Sequence, residues 1–399
     1  MLINLRNPDA TFAQGDEIVG SVVYPEANPS APFRIVVELA GVVKTKASVE
    51  SGDSYRTVRE EAEILRLLIC DIQWNGIVLP FAFHFPWSSP SLDGYPAPPA
   101  GQPGREWFPD PLPPSHEIIG GVDAKFLRKW AGSIEYKVRA SVFSPAGSTP
   151  LQQEAAIIYR PLLDPRFSYE LEDRSVYKRD CVKDICVKSL LLLPENKDRK
   201  LTFAEKTKSL FQRSSLPHFN FKVIVTHPTR INLGQPLHFV VKLELSPETS
   251  TGPGIPEVTL TQFAHTIMGE TKVWAQGAQN VTAPTMDNVF CSFNKDLGVF
   301  QPSCGYAKTI STPLFTHAIP SFQTKNVGRS YSITTMVHVE CAGKAFWWEN
   351  KSDVTILPAV RGAVLPEQPL LQWSLTKRTP VEWRDGDETQ KQCGPPAKS

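Results

Sequence analysis

Strict alternation of apolar and polar residues constrains this chain more than any other feature. Between residues 133 and 142, Ile134, Tyr136, Val138, Ala140 and Val142 alternate with Glu135, Lys137, Arg139 and Ser141. Successive side chains of a strand point to opposite faces, so this segment offers one face to a core and the other to water. Residues 219–225 repeat the pattern with Phe219, Phe221, Val223 and Val225, and residues 237–245 with Leu237, Phe239, Val241, Leu243 and Leu245. Shorter strands are expected over residues 2–5, 17–24, 34–43, 79–85, 154–159, 256–262, 331–341 and 354–357. Turn residues such as Asn7-Pro8-Asp9 and Ala27-Asn28-Pro29 punctuate them. Helical periodicity is nearly absent. The expected fold is all-β, built from antiparallel sandwiches with immunoglobulin-like topology.

The pattern also repeats on a larger scale. The first half opens with Asn7-Pro8, then Gly15-Asp16-Glu17-Ile18 leading into a long strand; the second has His227-Pro228, then Gly234-Gln235-Pro236-Leu237. Two sandwiches of one kind in tandem account for this, and 399 residues suffice for two or three domains with real cores.

Composition excludes several other classes. A formal net charge of +1 argues against a general nucleic-acid binder, which needs a basic footprint. The 36 prolines and 24 glycines fall well below the ~25–30% of a low-complexity chain. No apolar run approaches the ~20 residues that span a bilayer, and residues 1–7 lack a signal-peptide pattern, so a soluble, intracellular protein is expected. The seven cysteines, Cys70, Cys181, Cys186, Cys291, Cys304, Cys341 and Cys393, are odd in number and scattered, which suits free thiols in a reducing compartment.

Two stretches interrupt the alternation. Residues 86–118 hold ten prolines and are expected to form a long loop, with polyproline II presentation to SH3 or WW modules as the sharper reading. Residues 174–213 are basic, with 11 Lys/Arg against 5 Asp/Glu. Here Thr202 and Glu205 have capping-box spacing, predicting one short helix over residues 203–212. Lys197, Arg199, Lys200, Lys206, Lys208 and Arg213 are the candidate contacts to anionic lipid headgroups or phosphate, against the plainer reading of a solvated connector. Ser214 and Ser215 are candidate phosphorylation positions beside them.

The order of these segments resembles a known family. Ile3-Asn4-Leu5, Asn7-Pro8-Asp9, Thr11-Phe12 and the run Gly15-Asp16-Glu17-Ile18-Val19-Gly20-Ser21-Val22 come first. Arg34-Ile35-Val36-Val37-Glu38-Leu39-Ala40-Gly41 follows, then Leu112-Pro113-Pro114-Ser115 and Gly132-Ser133-Ile134-Glu135-Tyr136-Lys137-Val138. Together with residues 216–228, 234–245, 337–340 and 354–358, they resemble the arrestin family, and specifically fungal α-arrestin-like proteins, over roughly residues 1–360. The resemblance implies sandwiches over 1–160 and 217–360, a linker over 161–216 and an extended or disordered tail over 361–399. It gives Gly15, Asp16, Gly20, Pro113, Ser115, Gly132 and Tyr136 structural roles as motif positions. It further implies a monomeric, non-enzymatic adaptor without cofactors, cytoplasmic and transiently at plasma membrane or endosomes. Such a protein engages membrane-protein cargo tails and, in the family, a ubiquitin ligase. The family's ligase-recruiting PPxY motif is absent from this sequence, and Val19 stands where visual and β-arrestins keep a buried acidic residue. The alternative is a structural subunit of a stable endosomal sorting or coat complex.

Other constellations carry less. The sequence has no G-x-S-x-G, P-loop or dinucleotide fingerprint, and Gly252-Pro253-Gly254 fits a loop hinge. Cys181-x4-Cys186 and His338-x2-Cys341 give four metal ligands only if the fold joins them, and the odd offset within the second pair puts its members on opposite faces of a strand. Adjacent Trp347 and Trp348 likewise point to opposite faces, so one fills a core while the other is covered elsewhere or stands exposed as a partner contact.

Overall fold

The computed structural model describes residues 1–25, 32–51, 54–86, 112–118, 122–123, 128–143, 149–163, 178–196, 199–200, 202–205, 207, 216–251, 254–273, 285–314, 318–324 and 326–362. The expected extended or disordered tail lies outside them from residue 363, while Arg361 and Gly362 at its start are placed; the bulk of the proline-rich segment and Gly252-Pro253 also lie outside. The first half contains β1 (Leu2–Leu5), β2 (Thr11–Phe12), β3 (Glu17–Val23), β4 (Phe33–Ser51), β5 (Ser54–Trp74), β6 (Val78–His84), β7 (His116–Ile118), β8 (Val122–Asp123), β9 (Arg128–Phe143) and β10 (Leu151–Tyr159). The second contains β11 (Leu162–Leu163), β12 (Lys178–Lys188), β13 (His218–Pro228), β14 (Arg230–Asn232), β15 (Pro236–Ser246), β16 (Val258–Val273), β17 (Thr285–Val299), β18 (Ala307–Leu314), β19 (Phe322–Gln323), β20 (Val327–Cys341), β21 (Lys344–Leu357) and β22 (Ala359–Val360).

The expected all-β architecture is present. In the first half a three-stranded sheet, β1-β3-β6, faces a seven-stranded sheet ordered β2-β10-β9-β4-β5, with β7 and β8 added beside β9. In the second, a four-stranded sheet, β12-β13-β15-β18, faces a six-stranded sheet ordered β14-β21-β20-β16-β17, with β19 beside β20. Long strands pair antiparallel; the parallel pairs are the short ones, β2 on β10, β14 on β21 and β11 on β22. Without β12, the main strand orders of the two halves correspond, β1-β3-β6 with β13-β15-β18 and β2-β10-β9-β4-β5 with β14-β21-β20-β16-β17. Both turns that lead into the long strands use a left-handed glycine, Gly15 at φ 78° and Gly234 at φ 82°. A residue with a Cβ adopts that conformation only with strain.

Alternation becomes burial as the period-two rule requires. Ile18, Leu79 and Phe81 of the small sheet join Leu39, Tyr136 and Val138 of the large sheet in one buried cluster. Phe85 stacks on Tyr159 at 4.1 Å, with Tyr136 edge-on to both. In the second half Phe239 spans the sandwich to reach Phe263, ring centroids 5.1 Å apart. Val273, Val327 and Phe322 of the second half pack into the first half's cluster, so apolar burial joins the two sandwiches.

Three expectations need correction. The segment 161–216 is not a linker throughout, because β12 inside it is the edge strand of the four-stranded sheet and pairs with β13 from Lys178↔Pro228 to Lys188↔His218. Its alternation is obscured by Lys183, which shares a face with buried Cys181 and Ile185. The proline-rich segment is not a loop to its end: β7 pairs with β9 from His116↔Ile134 to Ile118↔Gly132, and Leu112 is buried. Finally, β5 adds a strand over residues 54–74, where charges cluster and two register shifts against β4 break the period. The capping box forms as expected: the Thr202 N–H donates to Glu205 Oε2 at 2.8 Å and the Glu205 N–H to Thr202 Oγ1 at 3.3 Å. Residues 203–205 and 207 are helical, and the rest of the expected helix lies outside the described residues.

Candidate interaction surface

The motif residues gather at two places. At the first, the Tyr136 hydroxyl donates to the Pro113 carbonyl at 2.7 Å. Ser115 Oγ accepts the Tyr159 N–H at 2.8 Å and donates to the Ile157 carbonyl at 3.3 Å. Pro113 and Ser115 thus pin the chain entering β7 against β10, and Gly132 pairs with Ile118 and Thr45 on either side of β9. Gly20 sits beneath Phe81, where a Cβ would come 2.8 Å from the Asn4 carbonyl oxygen, leaving no room for a side chain.

At the second, Asp16 belongs to a junction between the halves. The Asp16 carboxylate accepts the Ala13 N–H at 2.7 Å and an Arg361 N–H at 2.8 Å. Arg361 also donates to the Gln14 carbonyl at 2.6 Å, while buried Gln14 bonds both backbone groups of Leu162 and the Tyr159 hydroxyl. Neither Gln14 nor Arg361 carries a local signal. Arg361 lies 345 residues beyond Asp16, and only the parallel pairing of β11 with β22 brings it there.

Of the basic cluster, Arg199 and Lys200 are among the described residues. Lys197, Lys206, Lys208 and Arg213, with Ser214 and Ser215, fall outside the described residues. Arg199 donates to Glu205 at 2.6 Å and to Asn196 at 2.7 Å, so it serves the helix start rather than a ligand. The Thr202 N–H and the Arg199 guanidinium hold the Glu205 carboxyl down to about 2. Lys200 is exposed.

The metal reading fails on geometry. Cys181 is buried and Cys186 exposed, on opposite faces of β12. Cys341 is buried with its thiol pushed up to about 12 by desolvation, while His338 on the other face of β20 meets Thr261 Oγ1 at 2.5 Å. Among the described residues, no three His, Cys, Asp or Glu side chains cluster where they could hold an ion.

The remaining prominent surface is at one side of the second sandwich. Trp347 and Trp348 point to opposite faces of β21, as adjacent strand residues must. Trp347 is 72% exposed, and Trp348 is half-buried. Cross-strand pairing puts Trp347 beside His338, and one register step away Phe293, Ala264 and Met336 form a row on the same outer face. Phe293 is 52% and Met336 39% exposed, while Ala264 between them is buried at 4%, so uncovered apolar side chains stand on β17, β20 and β21.

Behind Trp347 the two sheets part. A cavity of about 150 Å³ opens between β12 and β21, lined by Ile185, Val223, Val337, Val339, Phe346 and Trp348, with Lys183, Asp184, Cys186 and Trp347 also in its lining. At one end the cleft is bridged: Asn350 Nδ2 donates to Cys181 Sγ at 2.8 Å and Ser352 Oγ at 3.0 Å, and burial pushes the Cys181 thiol up. Among the described residues β13 is the one strand paired with β12, so the opposite edge of β12 presents backbone N–H and C=O groups without a strand partner. An exposed aromatic, an apolar cavity and a free strand edge therefore lie side by side, a combination suited to holding an extended peptide.

No protein-family model matches the chain, and none of the curated proteins matches it.

Proposed function

We propose that this protein is a non-enzymatic intracellular adaptor of arrestin-like type, which engages extended cytosolic tails of membrane-protein cargo and helps route them in trafficking or ubiquitin-dependent endocytosis. One observation carries this reading: the free edge of β12 runs beside an apolar cavity and the exposed Trp347. Binding an extended tail needs no reactive centre. Backbone bonds along an edge supply affinity, and pockets for alternate side chains supply choice. The family resemblance over residues 1–360 supports the trafficking part of the proposal, and ligase recruitment through PPxY is not part of it, because the motif is missing. Proximity labelling in cells tests the reading. Transporters, receptors or ubiquitin ligases among the labelled proteins support it; their absence overturns it.

A second reading, a fixed subunit of a sorting or coat complex, draws support from the exposed Phe293, Met336 and Trp347 on one sheet face, since uncovered apolar side chains are typical of obligate interfaces. A monodisperse monomer when purified alone favours the adaptor; aggregation relieved by one co-purifying partner favours the subunit.

A further inference from the structure

We propose that β12 selects its peptide by chemistry: it takes an acidic extended segment that places one bulky apolar side chain in the β12–β21 cavity and a carboxylate against Lys183. This rests on the adaptor reading above and specifies its ligand. A strand added to the free edge of β12 would continue the four-stranded sheet, and every second side chain would point toward the facing sheet. There it meets the cavity of about 150 Å³. An apolar space of that volume accepts a group the size of a benzene ring. One Phe or Leu therefore fills it.

Lys183 supplies the second criterion. It shares the inward face of β12 with Cys181 and Ile185, lines the cavity and is exposed. Among the described residues no carboxylate pairs with its ammonium group. An inward-pointing lysine on an edge strand is a device against indiscriminate pairing, because a neutral strand docking there would have to desolvate it. A carboxylate at the facing position removes that obstacle. Two acids lie close by: Asp180 is on the other face, accepting the Thr226 hydroxyl at 2.6 Å, and Asp184 lines the cavity too but stands opposite Lys222 in register, on the face away from Lys183. Lys178, Arg179 and Lys188 add positive charge along the same strand.

The test uses the purified full chain and three synthetic nine-residue peptides: one with a central Phe flanked by alternating Asp, one with that Phe replaced by Ala, and one with Asp replaced by Lys. Hydrogen exchange of the residue 178–188 amides reports strand addition. Alkylation of Cys186, with exposed Cys291 and Cys304 as internal references, reports occupancy. The acidic Phe peptide should protect both readouts. Loss of the Phe should weaken it about tenfold or more, the equivalent of burying one large apolar side chain. The Lys peptide should give no protection, and Lys183→Glu should exchange the two preferences. Protection that ignores peptide charge, protection unchanged in Lys183→Glu, or no protection of β12 by the acidic Phe peptide each overturns the proposal. If membrane cargo is labelled in cells while β12 stays unprotected, this assignment fails and the adaptor reading survives.

Discussion

The two halves share one strand plan but finish their outer faces in opposite ways. On the large sheet of the first half many outward residues are charges paired to one another, with Leu68 and Leu151 as exposed apolar exceptions. Glu38, nearly buried, binds Arg66 and Arg139; Arg139 and Lys137 bind Glu154; Lys44 binds Glu135; and Arg34 binds Asp71. On the corresponding strands of the second half the outward residues include Phe293, Ala264, Met336 and Trp347. A face whose charges are already paired gives a partner little to gain, whereas uncovered aromatic surface does. The edges differ too. In the first half β1 ends its sheet, while in the second the matching strand β13 carries β12 outside it, and the cavity lies beneath that extra strand. One scaffold thus yields a closed half and an open half, and the difference comes from one added strand and a handful of outward residues.

The most severe tests bear on the shared plan. Phe85→Ala in the first half and Phe239→Ala in the second remove side chains with no exposure, and each should cost about 3–5 kcal/mol. Because Val273 and Val327 tie the cores together, urea unfolding should show one transition in both variants. Two separated transitions would break the idea of a joined core.

A pH test distinguishes the second core. His265 is fully buried among Phe239, Phe263 and Phe290, neither ring nitrogen has a hydrogen-bond partner among the described residues, and desolvation pushes its pKa down from 6.5 to about 4. The unfolded chain therefore takes up this proton first as pH falls. Stability from this residue is full above about 6.5 and declines toward pH 4, by about 2 kcal/mol at pH 5. His265→Leu should remove that share of the acid sensitivity between pH 7 and pH 5, read as a difference of denaturation midpoints. An unchanged pH dependence would show that another group governs it.

Smaller effects sharpen the contrast of the outer faces. Glu38→Ala leaves two arginines without their shared carboxylate and should destabilise by about 2 kcal/mol. At the junction of the halves, Arg361→Ala should cost about 1 kcal/mol, since the Asp16–Arg361 pair is partly exposed. Met336→Ser and Trp347→Ser should change stability by no more than about 0.5 kcal/mol, because their side chains leave little contact behind. Thermal melts rank the four. A Trp347 variant as costly as Glu38→Ala would mean that the open face is structural.

Much of the fold is legible in the sequence because it rests on local period-two patterns. β9, β13 and β15 follow directly from alternation, and Gly15 and Gly234 mark equivalent turns. Two of the edge strands, β12 and β5, hide from the sequence, although the edges β1 and β6 do not. β12 carries Lys183 on its inner face and β5 shifts register twice, since edges avoid misassociation by breaking the pattern that identifies a strand. The candidate surface is half legible. That Trp347 and Trp348 face opposite ways follows from adjacency alone. That Trp347 is the exposed one, and that β12 lies across from it, depends on pairing between residues more than 150 positions apart, on which local composition is silent.

Site-specific photocross-linking in cells tests the central claim most directly, with benzoylphenylalanine placed at Trp347 in β21 or at Leu151 in the matching strand β10. Leu151 is 48% exposed, so both probes are accessible. The account predicts adducts with cytosolic segments of membrane proteins from position 347 and not from 151. Equal adducts from both positions, or adducts from 151 alone, would contradict it.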